Sequence, residues 1–117
     1  MYKTETEVLR ECCIYLASQN YFFWRINNIP VYGRSLPKYT PKGLPDIMCI
    51  IDGKFYAIEC KRAEGGETDR EKNGRRVRGG KLSSFQAEWA VNCVLAGGAY
   101  YTVHSVEELV SALPGKV

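Results

Sequence analysis

Apolar residues near the start of the chain recur at helical spacing. Val8, Leu9, Cys12, Cys13 and Leu16 form one stripe across residues 4–18, the period that buries a single face of an α-helix. Thr4 supplies an N-cap and Glu7, three residues later, completes a capping box; Asn20 fits the exit. Residues 21–27 form an aromatic, β-prone run and predict a strand. Pro30, Pro37, Pro41 and Pro45, with Gly33 and Gly43, predict a loop over 28–45. The clearest local signal follows. Residues 46–51 and 54–61 read as two strands joined by Asp52-Gly53, a pair suited to a two-residue type I′ hairpin because both positions tolerate positive φ.

Residues 63–80 are Gly-rich and charged with no apolar period, and predict a flexible basic loop. Residues 83–96 read as a helix capped by Ser83, with Gln86 at the capping-box position and Gly97-Gly98 as the stop. Residues 99–103 predict a further strand. Ser105 and Glu108 form another capping box, opening a short last helix that ends at Pro114-Gly115. The order α-β-β-β-α-β-α predicts an α/β fold, a mixed sheet flanked by helices, in a single domain spanning 1–117.

Composition narrows the function classes. There is no apolar run of membrane-spanning length and no signal peptide, which predicts a cytoplasmic protein. The five cysteines include no CxxC pair and His104 is the only histidine, which argues against a zinc site and a disulfide framework. No phosphate-binding GxxxxGK[ST] loop is present, which argues against nucleoside-triphosphate hydrolysis. The net charge of +3 is unevenly spread: residues 61–81 hold eight Lys/Arg and four acids, so the remainder is slightly acidic. Arg70, Lys72, Arg75, Arg76 and Arg78 interleave with glycine rather than with aromatics. That pattern suits contact with a phosphate backbone, with recognition driven by shape. The bland alternative is a solvated linker. Arg62, Lys81 and Lys42 are further candidates for DNA contact, as are Arg34 and Lys38 in the loop before Asp46. Phe22, Phe23, Trp24, Phe85 and Trp89 are better read as core or dimer interface than as base-stacking groups, and His104 as structural.

The hairpin register supplies the candidate chemistry. A two-residue turn at 52 and 53 pairs Ile51 with Lys54 and Ile47 with Ile58. If no bulge intervenes, it also sets Asp46 opposite Glu59, with Cβ atoms roughly 4.5–5.5 Å apart. The two-residue strand period puts Lys61 on the face of Glu59. Two carboxylates at that spacing repel unless a positive charge offsets them. Lys61 does so in part, and a hard cation such as Mg²⁺ takes oxygen ligands of this kind. Such an ion activates water and neutralises charge developing on a phosphate. Solvated acids and lysines at strand ends are the competing interpretation.

Pro45-Asp46 followed by Glu59-Cys60-Lys61 matches the PD-(D/E)xK nuclease motif. The segments Gly43-Leu44-Pro45-Asp46-Ile47, Ile58-Glu59-Cys60-Lys61-Arg62 and Lys81-Leu82-Ser83-Ser84-Phe85-Gln86 resemble the VRR-NUC (virus-type replication-repair nuclease) group of that superfamily. Phe23 to Asn28 and the ending from Gly97 to Leu109 fit as well, so the resemblance covers nearly the whole chain. It implies a restriction-endonuclease-like core and a Mg²⁺- or Mn²⁺-dependent endodeoxyribonuclease of the standalone viral or phage type, acting in the host cytoplasm. The implied substrate is branched or structured DNA, with Holliday-junction resolution by a homodimer. A flap- or end-processing nuclease of the same fold and a non-catalytic DNA-binding module are the alternatives. Residue by residue, the resemblance implies that Asp46 and Glu59 bind the metal with the backbone carbonyl of Cys60. It also implies that Lys61 positions the attacking water and that Gln86 contacts the site's edge. Glu7 matches the family's N-terminal acid and is expected to assist the metal, directly or through water. Glu7 and Gln86 both also fit simple helix caps. Glu5, aligned with Leu9 and Cys12, competes with Glu7, and Glu11 is read as solvated. The basic stretch over 63–80 is longer than in many members, which bears on substrate preference.

Overall fold

The computed structural model describes residues 3–26, 39, 41–63 and 82–114. The described elements follow the predicted order: α1 (Glu5–Ser18), β1 (Phe22–Arg25), β2 (Ile47–Ile51), β3 (Lys54–Cys60), α2 (Ser84–Leu95), β4 (Ala99–Val103) and α3 (Val106–Ala112). They build an α/β fold around one four-stranded mixed sheet in the order β1-β2-β3-β4. Among the described residues no helix is long and apolar enough to cross a membrane. The expected basic loop, with Arg70, Lys72, Arg75, Arg76, Arg78 and Lys81, lies outside the described residues, as do Arg34 and Lys38.

The hairpin follows its turn chemistry. Asp52 and Gly53 have φ of 50° and 80°, the two positive values a type I′ turn requires. That turn sets Ile51 opposite Lys54, Ile50 opposite Phe55 and Ile47 opposite Ile58. β1 adds antiparallel to β2, and β4 adds parallel to β3 after the α2 crossover. β3 is therefore interior on both edges, and its last five residues, Tyr56 to Cys60, are all buried.

Strand alternation divides the two faces. Ile47, Cys49 and Ile51 of β2, with Tyr56, Ile58 and Cys60 of β3 and Val103 of β4, form the core with Val8, Leu9, Cys12 and Leu16 of α1 and with Leu109 and Leu113 beside α3. Full burial of an aliphatic side chain of this size stabilises by about 1.5–3 kcal/mol, so this face holds most of the apolar stabilisation. α2 lies on the opposite face, where Trp89 packs against Phe55 and Tyr100 at ring-centroid distances of 6.3 and 5.9 Å. The helix presents no fully buried residue. On the same sheet face, Phe22, Trp24 and Ile50 of β1 and β2 are exposed.

Candidate metal centre

Two of the three expected capping boxes form, at α1 and α2; at α3 Glu108 N–H donates to Ser105 Oγ, but the Glu108 carboxylate accepts from His104 N–H rather than closing the box. At α1, Glu7 N–H donates to Thr4 Oγ1 at 3.2 Å, while Thr4 N–H and Oγ1 donate to Glu7 Oε1 at 3.3 and 3.1 Å. Glu7, expected to supply the N-terminal acid, is engaged in the cap and is not among the three acids that converge. Its position explains this: it lies two residues from Glu5, roughly 200° around the helix, away from the stripe that α1 buries.

Glu5 stands beside Asp46 and Glu59 instead. It extends the Leu9–Cys12–Leu16 stripe one turn toward the N-terminus, and carboxylate oxygens of Glu5, Asp46 and Glu59 lie within 4.8 Å of one another. The alignment with Leu9 and Cys12 was the sequence signal that pointed to it. Glu11 pairs with Lys3 at 2.7 Å, on the solvent side. Replacing Glu5 by Ala is expected to weaken Mn²⁺ binding about tenfold or more with little loss of stability, since like charges lose a neighbour. Replacing Glu7 by Ala is expected to cost about 0.5–1 kcal/mol of stability through the cap and leave Mn²⁺ affinity unchanged. Calorimetric titration and melting of both variants separate the two roles; equal losses of affinity would reject the assignment.

Asp46 sits one residue before the β2 ladder begins. Its backbone carbonyl accepts from Ile26 N–H at 2.7 Å. Its side chain turns onto β3, where Oδ2 accepts the Cys60 N–H at 2.8 Å. The carboxylate thereby satisfies a strand amide that the described ladder, ending at Ile47 and Ile58, leaves over. A charge-assisted bond of this kind fixes the side chain firmly. Cys60 takes part through its backbone: its thiol points into the core near Cys12, and hydrogen bonding with Cys12 together with burial pushes that thiol's pKa far up.

Glu59 is the one buried charged residue among those described, 2% exposed. Gln86 Nε2 donates to Glu59 Oε1 at 2.8 Å, and Lys61 Nζ lies 3.6 Å from the same oxygen. No described donor reaches the buried Glu59 Oε2, and the neighbouring Asp46 hydrogen-bonds with the Glu59 carboxyl. Burial, and then the charge of Asp46, push the Glu59 carboxyl up to about 8, with Lys61 acting in the opposite sense. Burial also raises the Glu5 carboxyl, with Asp46 adding to this and Lys61 and Arg62 opposing it.

Gln86 serves as both cap and site residue. Its Oε1 accepts from Ser83 N–H at 2.9 Å and from Lys61 Nζ at 3.1 Å, while its amide donates to Glu59. One side chain therefore ties the start of α2 to the end of β3. Lys61 continues β3, its N–H donating to Val103 O at 2.9 Å, and its side chain is only 12% exposed. Arg62 is half-buried within electrostatic reach of Glu5. Lys42 is exposed with its Nζ 4.9 Å over the Phe85 ring. His104 donates its backbone N–H to Glu108 Oε2 at 2.7 Å, and its ring lies 3.2 Å from the same oxygen, at the mouth of α3 and outside this cluster.

The donor set suits a hard divalent cation: three carboxylates converge, and one carries an unpartnered buried oxygen. Burial first, and then the charge of Asp46, are why the Glu59 carboxyl holds its proton so far up the pH scale, and a bound cation would offset that charge. Comparison with protein-family models, with characterised proteins and with solved structures finds no match.

Proposed function

We propose that the chain is a Mg²⁺- or Mn²⁺-dependent, structure-selective DNA endonuclease with a PD-(D/E)xK core, of the VRR-NUC type that resolves four-way junctions. The observation that carries this reading is the convergence of Glu5, Asp46 and the buried Glu59, with Glu59 Oε2 unpartnered. The motif resemblance of Pro45-Asp46 and Glu59-Cys60-Lys61 selects phosphodiester hydrolysis among the reactions such a centre serves.

In this reading Asp46, Glu59 and Glu5 hold the cation, with the Cys60 carbonyl as the further ligand that the resemblance implies. When bound, the cation lowers the pKa of water and stabilises charge developing on the phosphate. Lys61 is held by Gln86 next to Glu59, so its ammonium orients a water for in-line attack and offsets phosphate charge. Gln86 keeps Glu59 Oε1 and Lys61 Nζ in fixed relation, which is the preorganisation catalysis needs. Asp46, fixed by the Cys60 amide, cannot swing away when the substrate arrives. Lys42, Arg62 and the basic residues Arg70, Lys72, Arg75, Arg76, Arg78 and Lys81 would engage the phosphate backbone.

A homodimer would present two such centres to opposing strands. The exposed apolar face of Phe22, Trp24 and Ile50 supports self-association, and sedimentation equilibrium of the wild type and Trp24→Lys tests it.

Labelled four-way junction, flap, duplex and single-stranded DNA, each with Mg²⁺, Mn²⁺ or EDTA, test the activity. Paired symmetric nicks at the junction, lost in EDTA and in Lys61→Ala, are expected. Cutting mainly at flaps or ends would keep the nuclease and discard the resolvase. Binding without cleavage in every metal would leave only a DNA-binding module.

A further inference from the structure

Two buried polar atoms on the α2 side of the sheet have no partner among the described residues: Glu59 Oε2 and the Tyr100 hydroxyl. Buried polar atoms are satisfied in the great majority of cases, and an exception calls for a bound water or ion or a functional role. The parallel register places Tyr100 beside Ala57 and Thr102 beside Glu59. Ala57 and Glu59 are alternate residues of β3, so Tyr100 shares their face. The Tyr100 ring packs on Trp89, one turn after Gln86, the residue that holds the other oxygen of Glu59. The two orphaned atoms thus lie in one layer under one helix, and they are complementary, an O–H donor and a carboxylate acceptor.

We propose that Tyr100 is a positioning residue of the carboxylate site, its hydroxyl and Glu59 Oε2 sharing one buried water. This rests on the reading of Glu59 as a metal ligand. A water with two to four polar partners is the usual occupant of such a place. Oε1 is already fixed by Gln86; the shared water takes one lone pair of Oε2, so the carboxylate is held in a single orientation with the other lone pair of Oε2 left for a cation. Burial, then the charges of Glu59 and Asp46, push the phenol well above its ordinary pKa. It therefore stays protonated as a donor at any working pH.

Outer partners of metal ligands typically affect metal affinity by about 10–100-fold. Tyr100→Phe in the full chain is expected to weaken Mn²⁺ binding about tenfold in calorimetric titration while keeping the melting temperature within a few degrees. Trp89→Phe, which changes the packing and no hydroxyl, is expected to retain the affinity. A metal-free double-mutant cycle of Tyr100→Phe with Glu59→Gln, read as denaturation midpoints, is expected to be non-additive. Unchanged Mn²⁺ affinity in Tyr100→Phe, with additive midpoints, would overturn the proposal. If the wild type bound no Mn²⁺ while the cycle stayed non-additive, the metal reading would fall and the Tyr100–Glu59 link would stand.

Discussion

Replacing Glu59 by Gln is expected to lower DNA cleavage by about a hundred- to a thousandfold and, in the absence of metal, to raise the melting temperature at pH 8.5. Both effects come from one buried carboxylate. Its pKa lies at about 8 in the folded chain, against an ordinary value of 4.5, because of burial and the neighbouring Asp46. Between those values the folded protein binds a proton that the unfolded chain does not. Stability contributed by this group is therefore full below about pH 4.5 and declines as pH rises through the window to about 8. Glutamine keeps the shape and removes the ionisation, so the variant escapes that decline. Added Mg²⁺ should act in the opposite way. It should raise the wild-type melting temperature, more at pH 8.5 than at pH 6, because at pH 6 it must displace the proton. The variant should gain little at either pH. Calorimetric melts at both values, with and without Mg²⁺, check this. A metal-free variant that melts below the wild type at pH 8.5 would contradict the account of Glu59.

The second large effect is expected at Gly43. Its φ is +80°, and a Cβ placed there would lie 2.4 Å from the Phe85 carbonyl carbon and 2.7 Å from the Gln86 amide nitrogen. The obstruction is helix backbone, which cannot rotate away as a side-chain tip can. Left-handed backbone costs an ordinary residue roughly 1–2 kcal/mol, and forced overpacking adds about 1–3 kcal/mol. Gly43→Ala should therefore lose about 2–5 kcal/mol of stability. The first turn of α2 must also move, and with it Gln86, the residue that holds Glu59 and Lys61. Cleavage should fall even at temperatures where the variant remains folded. Gly53→Ala is the control for strain alone: its φ is also +80°, but no atom lies within 4 Å of the added Cβ. It should lose stability and keep activity. Equal activity losses in the two variants would remove Gly43 from the site's support.

The sequence carried the local structure well where chemistry is short-range. The Asp52-Gly53 turn sets the β2–β3 register as far as Ile47 and Ile58; Asp46 lies one residue beyond that ladder, and its carboxylate comes near that of Glu59 from there. The two capping boxes placed the starts of α1 and α2. β1 is shorter at both ends than its aromatic run suggested. Capping chemistry and a site role are both legible at Glu7, and helix phase alone separates it from Glu5. The side-chain bond from Asp46 to the Cys60 amide was not legible, because a carboxylate replacing a ladder carbonyl leaves no periodic trace. Gly43 reads as any other loop glycine, because the helix N-terminus packed against it is distant in sequence. The position of Tyr100 is not legible for a related reason. Its neighbours depend on the parallel β3–β4 register, which a crossover of many residues sets and no local turn encodes.

The central claim is that Glu5, Asp46 and Glu59 form one cation site. Anomalous diffraction from crystals soaked in Mn²⁺ at pH 8 tests it most directly. The account predicts a peak bounded by carboxylate oxygens of these three residues, absent in Glu59→Gln crystals treated in the same way. No peak there, or a peak that persists without the Glu59 carboxylate, would contradict it.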